Sequence, residues 1–225
     1  MKKYNICCVL AFLFLCTQVK AQYLKDYTGR PYYLKTHDGI DGNPLLTETW
    51  LTGTVNFVNG KTVNTTLNYN VYGDELLFKT PTPDSTVQAF VEPVKSFSIK
   101  DIKLEESDQT DITFSNGFPA IDDQTVKTFY QVVGDGKIKL LKNYKKRVQE
   151  STAFASQMTT KTFITATSYY LFANNQLTKM KPSQKTILAV MNDKADKIQE
   201  YIKTNKVDFK SDVSLSKLFG YYSSL

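Results

Sequence analysis

Apolar and polar residues alternate along the middle of the chain. In "TTLNYNVYGDELLFKTP" (65–81), Leu67, Tyr69 and Val71 fall on one side of an extended strand, and Thr66, Asn68, Asn70 and Tyr72 on the other. Leu76 and Phe78 continue the apolar side beyond Gly73-Asp74, so the stretch predicts a β-hairpin with one buried face. The other face is polar and weakly charged, and water is its default partner.

Turn signals recur through this region. Asn59-Gly60 separates "TVNFV" from "KTVNTTLNYNVY", a strong hairpin signal because both residues accept positive φ. "VQAFV" and "KSFSI" flank Glu92-Pro93, and "DITFSNG" follows. "VKTFYQVVGDGKIKLLKNY" turns at Gly134-Asp135-Gly136, and "FITATSYYLF" turns into "LTKMK" at Asn174-Asn175. About nine or ten strands are predicted, without helices between them, so the sheet should be antiparallel. The segment 144–158 fits either a strand running into a loop or a short helix.

After Pro182 the period changes. Ile187, Met191, Ala195, Ile198 and Ile202 lie on one face of a helix, with Ser183 as its N-cap. Leu215, Leu218, Phe219 and Tyr222 predict a second, shorter helix. The expected fold is mainly β (α+β): an antiparallel sandwich or curved sheet with one long and one short C-terminal helix. Its expected parts are a signal peptide (1–21), an irregular N-terminal arm (22–49), a β domain (50–181) and helices packed on it (182–225).

The first residues change the composition. Lys2 and Lys3 precede the apolar run Ile6 to Cys16, which suits a signal-peptide core and is too short to span a bilayer. Val19 and Ala21 place cleavage after Ala21. Leu15 is too large to precede a lipidated Cys16. Cleavage removes all three cysteines, which excludes disulfides, a thiol nucleophile and thiolate metal sites from the remaining ~204 residues. It also removes Lys2, Lys3 and Lys20 and no acid, so the formal charge falls from +6 to +3. That balance does not indicate a nucleic-acid binder. No later stretch has the length of a transmembrane helix, and the short strands and helical end argue against a membrane β-barrel.

The remaining chemistry is sparse. His37 is the single histidine, which leaves no Ser-His-Asp arrangement in prospect and too few nitrogen ligands for zinc. It reads as a loop residue. Asp38, Asp41 and Asn43 lie among glycines, and Glu105, Glu106, Asp108 and Asp111 cluster in "EESDQTD"; oxygen-rich loops suit calcium, but neither has EF-hand spacing. Both read as solvated loops, as do Asp122 and Asp123. The densest basic run, "KNYKKR" (142–147), could meet phosphates or an acidic glycan, and reads first as a wetted strand end. Of Tyr169 and Tyr170, one should be core and the other outside. Asp84-Ser85-Thr86 matches a short O-glycosylation pattern in an exposed loop.

The segments "GNPLLTETWLTGTV", "LNYNVYGDELLF", "FYQVVGDGKIKLLK" and "YIKTNKVDF…LFGYYSSL" resemble a group of uncharacterised secreted proteins of Bacteroidota-type Gram-negative bacteria, from about Gly42 to Leu225. The Ala21-Gln22 signal end fits the same group. The resemblance implies an extracytoplasmic location and carries no activity. No catalytic, cofactor-binding or metal-binding residue is assigned. The expected function is a non-enzymatic binding or interaction module of the periplasm or outer membrane, whose partner is an envelope protein or a glycan. The alternatives are a carboxylate-based hydrolase of envelope glycans and a carrier of lipid or another apolar ligand. The hydrolase would show two facing acids in a cleft. The carrier would need an apolar cavity between sheet and helices.

Overall fold

A computed structural model describes residues 28–35, 37–81, 83–152 and 158–225. The expected signal peptide therefore lies outside the described residues. Among the described residues the protein is mainly β, with twelve strands in one open, mixed sheet and three short helices near the C-terminus. The strands are β1 (Gly29–Pro31), β2 (Ile40–Asp41), β3 (Leu51–Phe57), β4 (Thr62–Asn70), β5 (Glu75–Lys79) and β6 (Val87–Phe90). They continue as β7 (Val94–Ile99), β8 (Ile112–Ser115), β9 (Tyr130–Gly134), β10 (Lys139–Thr152), β11 (Thr159–Ala173) and β12 (Gln176–Met180).

The order across the sheet is β1-β6-β5-β4-β3-β7-β8-β9-β10-β11-β12. Two antiparallel meanders thus grow from β3, one on either side. The exception to antiparallel pairing is β2, which lies parallel to β11. The arm before residue 50 is therefore not wholly irregular, since β1 and β2 are both taken up by the sheet.

The turns follow their residues. Asn174 and Asn175 both take positive φ, as a two-residue hairpin requires. The Asn59-Gly60 turn differs from expectation. Gly60 alone has positive φ, and the Asn59 side chain instead accepts the Lys61 amide at 3.0 Å. The ambiguous segment 144–158 is strand as far as Thr152, and β10 and β11 form a long hairpin.

One face of the sheet carries the main core. Val55, Leu67, Tyr69, Phe78, Phe97, Ile99 and Phe114 pack there, with Phe97 stacked on Phe114 at 4.8 Å. Alternation along β10 puts Leu140, Lys142 and Tyr144 on this same face. Leu140 and Val133 meet the helices, α1 (Gln184–Val190), α2 (Ala195–Thr204) and α3 (Asp212–Ser224).

The long helix expected after Pro182 is broken. Ser183 caps α1 with a reciprocal Thr186 bond, and the helix ends at Met191. A 3₁₀ turn, Asn192–Lys194, precedes α2. Asn and Asp favour caps over helix interiors, and the Asp193 carboxylate accepts the Tyr222 hydroxyl at 2.9 Å. The apolar face continues across the break, because Ile187, Met191, Ile198 and Ile202 are all buried. With Leu215, Leu218 and Phe219 they form one packed core between sheet and helices.

The opposite face is covered too, against expectation. Asn68 and Asn70 are buried. The Asn68 amide donates to the carbonyls of Thr47 (2.9 Å) and Thr49 (3.2 Å), and Asn70 donates to the Tyr32 hydroxyl at 2.9 Å. The arm lies over β4 and β5, with Leu45 and Trp50 packed on Leu77 and Ala89. The polar side of 65–81 thus binds the chain's own N-terminal arm, while Tyr72 is half exposed. Tyr170 is buried by Phe118 and Tyr130, and Tyr169 packs beneath the helices, so both tyrosines of that pair are covered.

Candidate binding site

The arm is stitched down in a defined order. Gly42 takes φ +90°, and the Asn43 side chain accepts the Leu45 amide at 2.8 Å. The Leu46 amide then donates to Tyr69 O at 2.7 Å, and Tyr72 donates to Pro44 O at 3.2 Å. A second loop after β7 is held by buried Ile102, whose amide donates to Thr110 O at 3.0 Å. These two loops and the β10–β11 hairpin enclose a cleft of about 750 Å³. Leu46, Leu51, Leu104 and Phe163 supply apolar wall. Glu48, Asp101, Glu105 and Glu106 bring carboxylates, and Lys103 and Lys146 bring cations. The volume is in the range of ligand pockets, and the charges come from segments far apart in the chain.

The expected oxygen-rich loops are separated by their roles. Asn43, Glu105 and Glu106 reach this cleft. Asp108 instead turns to α3, accepting the Val213 amide at 3.0 Å and the Ser211 hydroxyl. Burial pushes the Asp108 carboxyl upward, but these bonds outweigh it and hold it below the usual carboxylate range. Asp111 accepts the Asp101 amide at 3.4 Å. Among the described residues no three His, Cys, Asp or Glu side chains are grouped to hold a metal ion. His37 is half-buried, edge-on to Phe163 (5.1 Å) and Tyr72 (5.4 Å). Asp84, Ser85 and Thr86 are exposed between β5 and β6.

The basic run divides. Lys142 is not wetted; it lies buried with Asp212, the first residue of α3, and its amine donates to Asp212 Oδ2 at 2.8 Å and to Glu106 O. The Tyr169 hydroxyl donates to Asp212 Oδ1 at 2.7 Å, and Tyr144 donates to Gln131 Oε1 at 2.5 Å. Burial, reinforced by the Asp212 charge, pushes both phenols far above their ordinary range, so both stay protonated. Lys145, Lys146 and Arg147 follow where β10 has passed the end of its pairing with β9. Charges on such an open edge oppose pairing with another strand.

A smaller pocket of about 300 Å³ lies on the opposite face of the hairpin, beside Asp122, Asp123, Asn143 and Arg147. Asp122 meets Lys179 at 3.3 Å, and Asp123 pairs with Lys145. Neither the cleft nor this pocket is legible in the sequence. The loops that build them are each visible there, but their meeting is not. Like Asp108, the Asp135 and Glu92 carboxyls are held below the usual carboxylate range. For Asp135 the cause is the Lys139 bond, opposed by burial. For Glu92, slight burial is outweighed by bonds from its own amide and from Thr28.

Comparison with protein-family models, with curated proteins and with solved structures finds no match. Among the described residues no helix is long and apolar enough to cross a membrane.

Proposed function

We propose that the chain is a non-enzymatic binding or interaction module of a Gram-negative cell envelope, acting in the periplasm or at the outer membrane after cleavage near Ala21. The observation that carries the binding role is the 750 Å³ cleft, in which apolar walls and charges of both signs converge from three distant segments. Its occupant is an envelope protein segment or a glycan chain. The location rests on the basic start and short apolar run of the first 21 residues.

Purification of the tagged chain from cross-linked cells, beside the variants Glu48→Lys and Lys146→Glu, tests this reading. One dominant envelope partner, lost from both variants while their circular dichroism is unchanged, supports it. Equal recovery with wild type and variants refutes a role for the cleft.

Glu48, Asp101, Glu105 and Glu106 also favour a second reading, a carboxylate-based hydrolase of envelope glycans. Release of new reducing ends from envelope glycan by the purified chain, abolished by Glu105→Gln or Glu106→Gln, would select it over binding alone.

A further inference from the structure

The outer face of the β10–β11 hairpin presents to a pocket a polar side chain that the fold leaves unused. Asn143 is 5% exposed, and its side-chain amide, which has no protein hydrogen-bond partner among the described residues, keeps its contact with solvent through the pocket. Asn143 lines the 300 Å³ pocket directly, beside its cross-strand neighbour Ser168. An amide and a hydroxyl therefore form a floor that offers both donors and acceptors.

The walls set the ligand's charge. Asp123 is matched by Lys145, and Asp122 by Lys179. Arg147 lines the same pocket and makes no ion pair among the described residues, so one positive charge is left over. The planar guanidinium suits a carboxylate through two parallel bonds. The matched pairs supply further acceptors and donors for hydroxyls. Tyr170 holds the pocket's inner end, its hydroxyl 3.3 Å from Asp122 Oδ2 and 3.4 Å from Gln124 Oε1. A one-ring polyhydroxylated ligand fits the volume, which is at the small end of ligand pockets.

We propose that this pocket binds a sugar acid, a single hexuronate unit, with Asn143 and Ser168 on its hydroxyls and Arg147 on its carboxylate. The site lies on the other face of the hairpin from the cleft, and its test is independent of the cleft's occupant.

The test is NMR titration of the isotope-labelled chain, lacking residues 1–21, with D-glucuronate, D-galacturonate, D-glucose and inorganic phosphate. The result expected is saturable shifts of amides in 122–124 and 143–147, with one of the two uronates at least tenfold tighter than glucose. Asn143→Ala and Arg147→Gln should each weaken that binding at least tenfold. Asn143→Ala should leave the melting temperature unchanged, which the loss of a structural amide would not do. Uronate binding no tighter than glucose overturns the proposal. So does phosphate binding as tightly as uronate, which would mark a plain anion site. Binding that survives both substitutions also overturns it.

Discussion

Lys142 Nζ lies 2.8 Å from Asp212 Oδ2, joining the middle of a sheet strand to the first turn of a helix 70 residues further on, with both side chains sealed from water. The carboxylate is also suited to the positive end of the α3 dipole. Tyr144 and Tyr169 place their rings 5.5 and 5.1 Å from the ammonium, adding cation–π attraction. A buried ion pair need not stabilise more than apolar residues would, but half of one is costly. Asp212→Ala should therefore lower unfolding stability by about 3–5 kcal/mol, read from urea denaturation of the chain without residues 1–21. The triple change Lys142→Met, Asp212→Leu, Tyr169→Phe should recover most of that loss. A loss below about 1 kcal/mol for Asp212→Ala would mean that water reaches the amine.

Asp108 anchors the same helix from outside. Its folded-state pKa is depressed, so the stability it adds is full above the unfolded value of about 3.9 and is lost as pH falls through the folded value. Asp108→Asn should cost about 0.5–1 kcal/mol at neutral pH, the lower part of the capping range, because the carboxylate is exposed. Thermal melts of both proteins should converge on acidification below the ordinary aspartate range. A gap that persists at the lowest pH where both remain folded would assign the effect to shape rather than charge.

The α3–sheet contact leaves no room at Gly134. A Cβ there would sit 2.6 Å from Phe219 Cβ and Cγ, near the root of a side chain that cannot swing away. Gly134→Ala should destabilise by about 1–3 kcal/mol. Gly220 is the contrast, one residue beyond Phe219 in α3, with open space where its Cβ would be. Gly220→Ala should stabilise by up to about 1 kcal/mol through helix propensity. Paired chemical denaturation curves decide both; equal effects of the two changes would contradict the packing described.

Local patterns carry much of the architecture. Turn residues mark the hairpins, and period-two alternation alone names Leu67, Tyr69, Leu76 and Phe78 as core. What cannot be read locally is which faces become covered. Asn68 and Asn70 look solvent-facing by alternation, and they are buried because residues 43–50 fold back over them. Lys142 looks like the start of a wet basic run, and it is buried because Asp212 arrives from elsewhere. The cleft has the same cause: Glu48, Glu105 and Lys146 become neighbours through sheet curvature and loop docking, for which no spacing rule exists. The break at Asn192–Lys194 has a visible signal in its Asn-Asp pair, masked by the apolar face continuing across it.

The two meanders grown from β3 have a kinetic consequence. Most strand pairs join neighbours in the chain, so their loops are short and close quickly. The joint between the meanders, β3 with β7, brings together Phe57 and Val94, 37 residues apart. The arm closes far larger loops, since β1 meets β6 across about 60 residues and β2 meets β11 across 121. These strands are also the shortest, three and two residues long. The arm should therefore dock last during folding and release first during native-state fluctuation. Backbone amides of Tyr32 and Ile40 should exchange with solvent well before those of Val55 or Phe97, and the cleft wall made by residues 42–51 should open with them.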